Sequence, residues 1–349
     1  STSSRLFNET TDWTAGIYNT SRQEKLDRSY TKTSEEVELS QDITSSAVYS
    51  QLETSLSNTS RLIYGLRFEQ WNTDYTDSNN LNKDITDNLW GGKITYETML
   101  DINHLIYITA ARGYKAGGVN HETQLDEENK TFEKEANYSY EAGVKSSLLA
   151  DTLETRVSAF YIERKNQQIK SSFSYLEDST PEFVDYLDNI DKGISYGLEI
   201  ETNWSITPTL DWAASIGWLK TELKDHEYKD VIIDNRDQAH APEFTLATSI
   251  NYVFLKHFSA FVETEAKDSF YYSNSHNEKS SAYALINASI AYSIRDWEIS
   301  LTGKNLTDKD YHTRGFYFEN DPRDEYENKH NYTQLGAPRL LSLNTRYNF

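Results

Sequence analysis

Apolar and polar side chains alternate along many stretches of this chain. In the segment GLEIETNWSI, residues 197–206, Leu198, Ile200 and Trp204 fall on one side, and Glu199 and Glu201 fall on the other. An alternation with period two predicts β-strands that have one apolar and one polar face. Four further segments repeat it: RLIYGLRFE at 61–69, TLDWAASIGW at 209–218, EFTLATSINYVF at 243–254 and RLLSLNTRYNF at 339–349. Two folds satisfy this pattern: a soluble β-sandwich, and a β-barrel that stands in lipid with its polar face inside.

Short and long connections alternate between the predicted strands. The short ones lie near Asn58, near Asp101 and at 150–151, 207–208, 256–257 and 295–296; the long polar ones span 22–36, 72–88, 117–132, 172–185, 224–241, 270–281 and 307–337. This layout is typical of up-and-down hairpins with one plain rim, whereas a sandwich mixes its loop lengths at both ends. We therefore predict one all-β domain over residues 1–349. Its expected form is a transmembrane antiparallel up-and-down β-barrel of about 14 strands, with short periplasmic turns and long extracellular loops.

The barrel hypothesis assigns a direction to each strand face. The residues expected to point outward to lipid are Ile200, Trp204, Trp212, Ile216, Ile250 and Tyr252. Those expected to point into the lumen are Glu199, Glu201, Asn203, Ser249 and Asn251. If the barrel closes on this chain alone, the last strand, which ends at Phe349, pairs with the first strand near residues 13–19, because an unpaired strand edge in lipid is costly.

Composition narrows the classes of function. The formal net charge of −21 argues against a nucleic-acid partner, because phosphates would be repelled. No cysteine is present, which fits a compartment where a thiol is a liability. No apolar run reaches the about 18 residues that a transmembrane helix needs. A low mean hydropathy of −0.73 is compatible with a membrane barrel, in which every second residue of a strand meets lipid.

No catalytic group can be assembled from the sequence. The eight histidines are scattered without zinc-ligand spacing, and no G-x-S-x-G nucleophile motif occurs. We therefore predict no enzymatic activity, no metal site and no cofactor. The acidic long loops predict solvated, charged surfaces.

Two sets of residues are candidates for ligand binding. The lumen-facing candidates are Arg67, Glu141, Lys145, Glu199, Glu201 and Lys304. These charges either set the field of a pore or hydrogen-bond to whatever fills it. The aromatic candidates of the long loops are Tyr271, Tyr272, Phe316 and Tyr317. They either hold a ligand ring or belong to the aromatic belt at the lipid headgroups.

Six segments, in this order, resemble the barrel motifs of TonB-dependent outer-membrane receptors: YITAARGYKAGGVN at 107–120, YSYEAGVKSSLL at 138–149, FYIERKNQQI at 160–169, GISYGLEIE at 193–201, LTGKNLTDKDYH at 301–312 and GAPRLLSLNTRYNF at 336–349. The resemblance implies a place in the outer membrane of a Gram-negative cell and uptake of a scarce solute such as an iron chelate, a siderophore. The implied partners are outer-membrane lipid and the barrel-assembly machinery, which would read the C-terminal strand through Tyr347 and Phe349.

The sequence also departs from that family. Its members carry an N-terminal plug domain with a TonB-contacting segment, and their barrels have about 22 strands. Neither segment is recognised here, so contact with TonB is expected only if a plug is supplied upstream or by another chain. The chain is then a fragment, one chain of a split receptor, or a small barrel closed by about 14 strands. The alternative function is a passive pore or a structural outer-membrane barrel that lacks a plug.

Overall fold

The computed structural model describes residues 2–7, 9–29, 36–177, 180–224, 226–228, 231–233 and 235–349. Within them the chain forms β-strands and two short 3₁₀ helices, Glu127–Asn129 and Pro322–Asp324, each of which lies in a connection between strands. The strands are β1 (Thr2–Leu6), β2 (Thr11–Ser29), β3 (Glu36–Ser55), β4 (Ser60–Asp77), β5 (Asn82–Asp101), β6 (His104–Lys115), β7 (Gly118–Val119), β8 (Thr131–Phe132), β9 (Glu135–Leu148), β10 (Leu153–Glu177), β11 (Thr180–Thr207), β12 (Leu210–Lys224), β13 (His226–Tyr228), β14 (Val231–Ile233), β15 (Phe244–Phe254), β16 (Phe258–Lys267), β17 (Tyr283–Ile294), β18 (Trp297–Lys304), β19 (His312–Glu319), β20 (Lys329–Leu335) and β21 (Leu340–Tyr347).

Fifteen of these strands form one antiparallel up-and-down sheet in the order β1-β2-β3-β4-β5-β6-β9-β10-β11-β12-β15-β16-β17-β18-β21. The six remaining strands make three two-stranded hairpins inside long connections: β7 with β8, β13 with β14, and β19 with β20. The predicted all-β meander is confirmed. The sheet has one strand more than the expected count of about 14, and it includes the short β1, which pairs with β2. Across the described residues, no helix has the length and apolarity needed to cross a membrane.

The register confirms that the two faces of the sheet differ as the alternation predicts. Paired residues share a face, and Ile200 lies between Val157 and Ile216, while Trp204 lies opposite Trp212. The predicted outward residues Ile250 and Tyr252 continue this apolar face, opposite Trp212 and Leu210. On the other face, a polar row joins the predicted lumen residues, with Glu201 opposite Arg156, Asn203 opposite Glu154, Ser249 opposite Ala213 and Asn251 opposite Asp211.

Three predicted long loops are mostly strand. β2 continues to Ser29, β4 and β5 leave only 78–81 between them, and β10 and β11 occupy nearly all of 172–185. Residues 30–35, 178–179, 225, 229–230 and 234 of the predicted loops lie outside the described residues. The prediction was wrong because a strand ladder needs only backbone pairing, which continues where the alternation of side chains is weak. β11 has 28 residues, whereas a spanning strand needs about 9–11; the paired hairpins therefore rise far beyond the bilayer.

The sheet is open along its two outer strands. Among the described residues β1 pairs with β2, and β21 pairs with β18. Residues 13–19, the partner predicted for a barrel closed by this chain alone, belong to β2, which pairs along its whole length with β3 and at Thr11–Ala15 with β1. Closure of the sheet through that pair is therefore not observed.

Candidate functional site

A cavity of about 590 Å³ lies among the long connections at one end of the sheet. Five parts of the chain line it: the end of β10, the start of β11, the connection before β15, the connection 268–282 between β16 and β17, and the β19–β20 hairpin. We call the side of the sheet where the long connections lie its upper end. The lining residues fall at 170–174, 183, 185, 239–240, 272–276, 314–319 and 329. We call this space the mouth cavity.

The mouth cavity is closed by contacts between parts of the chain that are distant in the sheet. The rings of Phe183 and Phe318 lie 4.5 Å apart, centre to centre, and the Ser174 hydroxyl donates to the Glu319 carboxylate at 2.9 Å. Four strands separate β11 from β18, so these segments would stand about 24 Å apart in a flat sheet with strands about 4.8 Å apart. The sheet must therefore curl for its long connections to meet.

Upper residues of the β10–β11 hairpin are covered on both faces. Val184 and Tyr186 are buried against Leu125 of the connection between β6 and β9. The alternate residues Phe183 and Asp185 face the mouth cavity instead. Because successive residues of a strand point to opposite sides, one hairpin supports two docked connections.

Three of the four predicted loop aromatics come together in the mouth cavity. Tyr272, Phe316 and Tyr317 all line it, and Tyr272 is buried. Tyr271 does not line it; its ring is covered by the Arg236 guanidinium at 4.1 Å and the Lys279 ammonium at 3.9 Å. These placements bring the aromatics to one site, while their role in binding a ligand stays a prediction.

Arg236 fastens two connections to each other. Its guanidinium donates to the backbone carbonyls of Ser273 at 3.1 Å and His276 at 2.6 Å, and to the Asn277 side chain at 3.2 Å. The His240 amide adds a backbone hydrogen bond across the same junction, 2.9 Å from the Tyr271 carbonyl. The wall of the cavity formed by residues 272–276 is therefore held from outside by Arg236 rather than by the sheet alone.

The side chains that line the mouth cavity include three cationic groups and two carboxylates, so one positive charge is not balanced. Lys170 pairs with Asp185 at 2.7 Å, and Lys329 pairs with Glu319 at 3.7 Å. Arg314 stacks over the Phe316 ring at 4.8 Å. Among the described residues no carboxylate forms an ion pair with Arg314, which leaves its charge available to an anion in a chain whose net charge is −21.

Two histidines in the wall are neutral near pH 7. Burial, reinforced by the nearby Arg236 guanidinium, lowers the pKa of His276 to about 4. Burial and the neighbouring Arg314 lower the pKa of His240. A neutral imidazole both donates and accepts a hydrogen bond, so these rings offer polar contacts without adding charge.

The lumen candidate Arg67 belongs to a compact network on β3, β4 and β6. The Arg67 guanidinium contacts the Glu69 carboxylate at 2.8 Å and donates to the Tyr114 hydroxyl at 3.0 Å. The Tyr114 hydroxyl in turn donates to Glu69 at 2.6 Å, and the Ser45 hydroxyl donates to the same carboxylate. Arg67 is therefore committed to contacts within the wall.

A second network joins β6, β9, β10 and β11. The Tyr107 hydroxyl donates to Glu141 at 2.5 Å, and the Lys145 ammonium lies 5.4 Å from the Tyr107 ring centre. Lys145 stands opposite Arg156, which pairs with Glu201 at 3.3 Å.

Two lumen candidates stand outside these networks. Glu199 lies opposite Ser158 and Gly217, and Lys304 lies on β18 opposite Leu340. Arg67 thus belongs to one network, Glu141, Lys145 and Glu201 belong to another, and their role in ligand binding stays a prediction, as it does for Glu199 and Lys304. Within the described residues no group of three metal-ligating side chains is suited to hold a metal ion.

The sequence reasoning missed several residues of the mouth cavity. Phe183, Lys170, His240, His276 and Arg314 carried no recognisable motif. Phe183 stands in the segment PEFVDY at 181–186, inside a stretch that was predicted to be loop.

Comparisons with known proteins converge on one family. A family model described as TonB dependent receptor-like, beta-barrel, matches residues 2–306. The pesticin receptor of Yersinia pestis is 23% identical over 355 aligned positions, which cover 97% of this chain and 49% of that protein. The chain therefore spans about half the length of the curated relatives that it matches.

Solved structures agree in fold. The ferric yersiniabactin uptake receptor FyuA from Yersinia pestis superposes with a TM-score of 0.80 at 21% identity, over 99% of this chain and 52% of that one. The ferric-catecholate import receptor Fiu from K12 E. coli gives 0.77 at 16% identity, over 99% of this chain and 53% of that one. At these identities the likeness shows the fold alone.

Proposed function

This chain belongs to the TonB-dependent receptor-like β-barrel family, and we propose that it serves the uptake of a scarce solute, an iron chelate of the siderophore type, with the mouth cavity as the place of capture. Receptors of this family are proteins of the Gram-negative outer membrane, and this barrel chain is one of them. The relatives are transport receptors rather than enzymes. The proposal for this chain concerns the solute and the place where it binds.

The observation that carries the proposal is the chemistry of the mouth cavity. Its volume of about 590 Å³ falls within the about 300–1,000 Å³ usual for ligand pockets. Aromatic rings from β11 and from the β19–β20 hairpin form one wall, and Arg314 supplies a cation without an ion-pair partner among the described residues. Flat aromatic groups and a negative charge on the solute would match both features. FyuA is a receptor for uptake of ferric yersiniabactin and Fiu is a receptor for import of ferric catecholate, which supports the same class of solute here.

Two partners belong to this proposal. Energised release of the solute would need a plug segment, and contact with TonB would pass through that segment. Assembly into the outer membrane would use the last strand, whose Tyr347 and Phe349 rings lie 5.0 Å apart, as the signal for the assembly machinery.

Equilibrium binding tests the proposal. The chain, extracted from outer membranes in detergent, is titrated with the ferric complex of 2,3-dihydroxybenzoate, and quenching of tyrosine and tryptophan fluorescence is measured. Losing a charged contact at about 1.5 kcal/mol or more corresponds to about tenfold or more in affinity, which we expect for Arg314→Gln. Phe316→Ala should weaken binding similarly.

Phe244→Ala is the matched control. Phe244 is an exposed aromatic residue on the apolar face of β15, outside the mouth cavity. Its replacement should leave the affinity unchanged. If all three variants bind the complex as the parent does, the mouth cavity is not the capture site. If the parent does not bind and conducts ions in a planar bilayer instead, the passive-pore alternative is favoured.

A further inference from the structure

An apolar groove lies on the outward face of the sheet, across β3 to β6 and β9. Its volume is about 560 Å³, and Leu66, Ile94 and Tyr140 are among its walls. Glycines keep its floor open, since a Cβ atom at Gly92 would lie 2.7 Å from Leu66 Cδ2 and 2.8 Å from the carbonyl oxygen of Gly65. We call this space the wall groove, and its shape suits a hydrocarbon chain.

The upper end of the wall groove lies at the membrane interface. Tyr140, Tyr161 and Tyr196 stand side by side in register on β9, β10 and β11. Such a row of aromatic rings marks the level of the lipid headgroups in outer-membrane barrels. Tyr138 and Arg112 stand opposite each other two residues nearer the long connections. They therefore lie at headgroup level.

Arg112 carries its charge at this level. Its guanidinium lies 4.1 Å from the Trp90 ring centre and 5.4 Å from that of Tyr138, and its Nε donates to the Tyr138 hydroxyl at 3.2 Å. It also donates to the Trp90 carbonyl. In the part of the chain that the structure describes, no carboxylate forms an ion pair with Arg112. The side chain is held by rings and neutral acceptors, and its positive charge is not neutralised.

Two lysines extend the positive charge across the neighbouring strands. The Lys165 ammonium lies 5.5 Å from the same Tyr138 ring, and Lys165 stands directly opposite Lys192. Like charges directly opposite each other in a sheet are destabilising unless an anion lies between them. Glu163 supplies one carboxylate, 2.7 Å from Lys192 and 3.9 Å from Lys165. With Arg112, three cations face one carboxylate, so two positive charges remain.

We propose that the wall groove and this cationic cluster, Arg112, Lys165 and Lys192, bind a phosphorylated lipid of the outer leaflet. An acyl chain fills the groove below the aromatic row, and the lipid phosphate lies above it between Arg112 and Lys165. The argument is charge complementarity, since an amphiphile with an anionic head presents the opposite charge at the height where the cluster stands. A zwitterionic lipid offers the same chains without the net charge.

Native mass spectrometry of the chain in detergent tests this site with lipid A, with dephosphorylated lipid A and with inorganic phosphate. We expect lipid A to be retained most tightly. At about 1 kcal/mol for each basic residue near a charged membrane surface, the double variant Arg112→Gln/Lys165→Gln should bind it about 30-fold more weakly. Equal retention of dephosphorylated lipid A, or equal affinity for inorganic phosphate, would overturn the proposal.

Lys220→Gln is the matched control, because Lys220 stands opposite Tyr196 on the same face and is already neutralised by Glu243 at 2.5 Å. The affinity of the Lys220→Gln variant for lipid A should equal that of the parent. A loss of affinity as large as that of the double variant would overturn the proposal. Ala110→Phe fills the groove while leaving every cation in place, and it should weaken the binding of lipid A by about tenfold or more. If the double variant does not fold, as judged by heat-dependent gel mobility, the Ala110→Phe variant still tests the proposed site. Unchanged retention by a folded Ala110→Phe would also contradict the proposed site.

Discussion

Replacing Ile200 with arginine tests the assignment of the two sheet faces. Ile200 lies on the apolar face, opposite Val157 and Ile216, and 40% of its surface is exposed. Two aromatic pairs bracket it along the strand: Trp204 with Trp212 toward the short turns, and Tyr196 with Trp218 toward the long connections. These pairs mark the two membrane interfaces, since aromatic girdles flank the apolar band of a barrel. Ile200 is four residues from each and therefore lies near the midplane.

The size of the effect follows from that depth. Arginine on the lipid face costs about 2–4 kcal/mol of folding free energy at the midplane and about 0–1 kcal/mol near an interface. Asn203, three residues further along β11, is the matched control on the polar face. It stands opposite Glu154 and Ala213. Asn203→Arg adds a cation beside a carboxylate in water, and we expect a change within about 0.5 kcal/mol.

The assay is urea-induced unfolding of the parent and both variants in lipid vesicles, followed by tryptophan fluorescence. Ile200→Arg should lower the free energy of unfolding by at least about 1.5 kcal/mol more than Asn203→Arg does. Equal costs at the two positions, or a larger cost at Asn203, would show that the apolar face does not meet lipid.

Three further changes test the site and the sheet. Arg236→Lys removes the planar fork that joins the two connections, so amide hydrogen exchange of residues 268–282 should accelerate about tenfold, as expected for the loss of a charge-assisted hydrogen bond; unchanged exchange would show that Arg236 does not hold them. Because the pKa of His276 is lowered to about 4, its contribution to docking is complete above its ordinary pKa of about 6.5 and is lost as the pH falls from there toward 4; His276→Gln should remove this pH dependence of the same exchange rates. Gly197→Ala would place a Cβ against the Trp218 carbonyl oxygen and should cost about 1–3 kcal/mol in urea unfolding, whereas a cost near zero would mean that the strands separate freely.

The sequence predicts strand faces well because each one depends only on local alternation. Ile200 and Glu199 are adjacent in the strand, so their side chains point to opposite faces of the sheet, and no distant contact alters that. The structure of the connections was harder to predict from the sequence. Residues 172–185 lack a clear apolar face, so they were predicted to be loop, although a strand ladder needs only backbone pairing.

Only part of the mouth cavity could be predicted from the sequence. Tyr271 and Tyr272 are adjacent and alike, yet only Tyr272 lines the cavity, because the backbone turns one ring toward it and the other toward Arg236. The contact between Phe183 and Phe318 joins residues far apart in sequence, and it depends on the curl of the whole sheet. No local pattern encodes such a distance.

The location of the bound solute is the most direct test of the account. The chain has no cysteine, so a nitroxide can be attached at one engineered site at a time. Ser172→Cys places the label in the mouth cavity, and Lys256→Cys places it in the short turn between β15 and β16 at the opposite rim. Ferric iron shortens the relaxation time of a nearby nitroxide, and the effect falls steeply with distance. Capture in the mouth cavity predicts that the ferric 2,3-dihydroxybenzoate complex shortens relaxation strongly at position 172 and weakly at 256. Equal effects at both positions, or the stronger effect at 256, would contradict it.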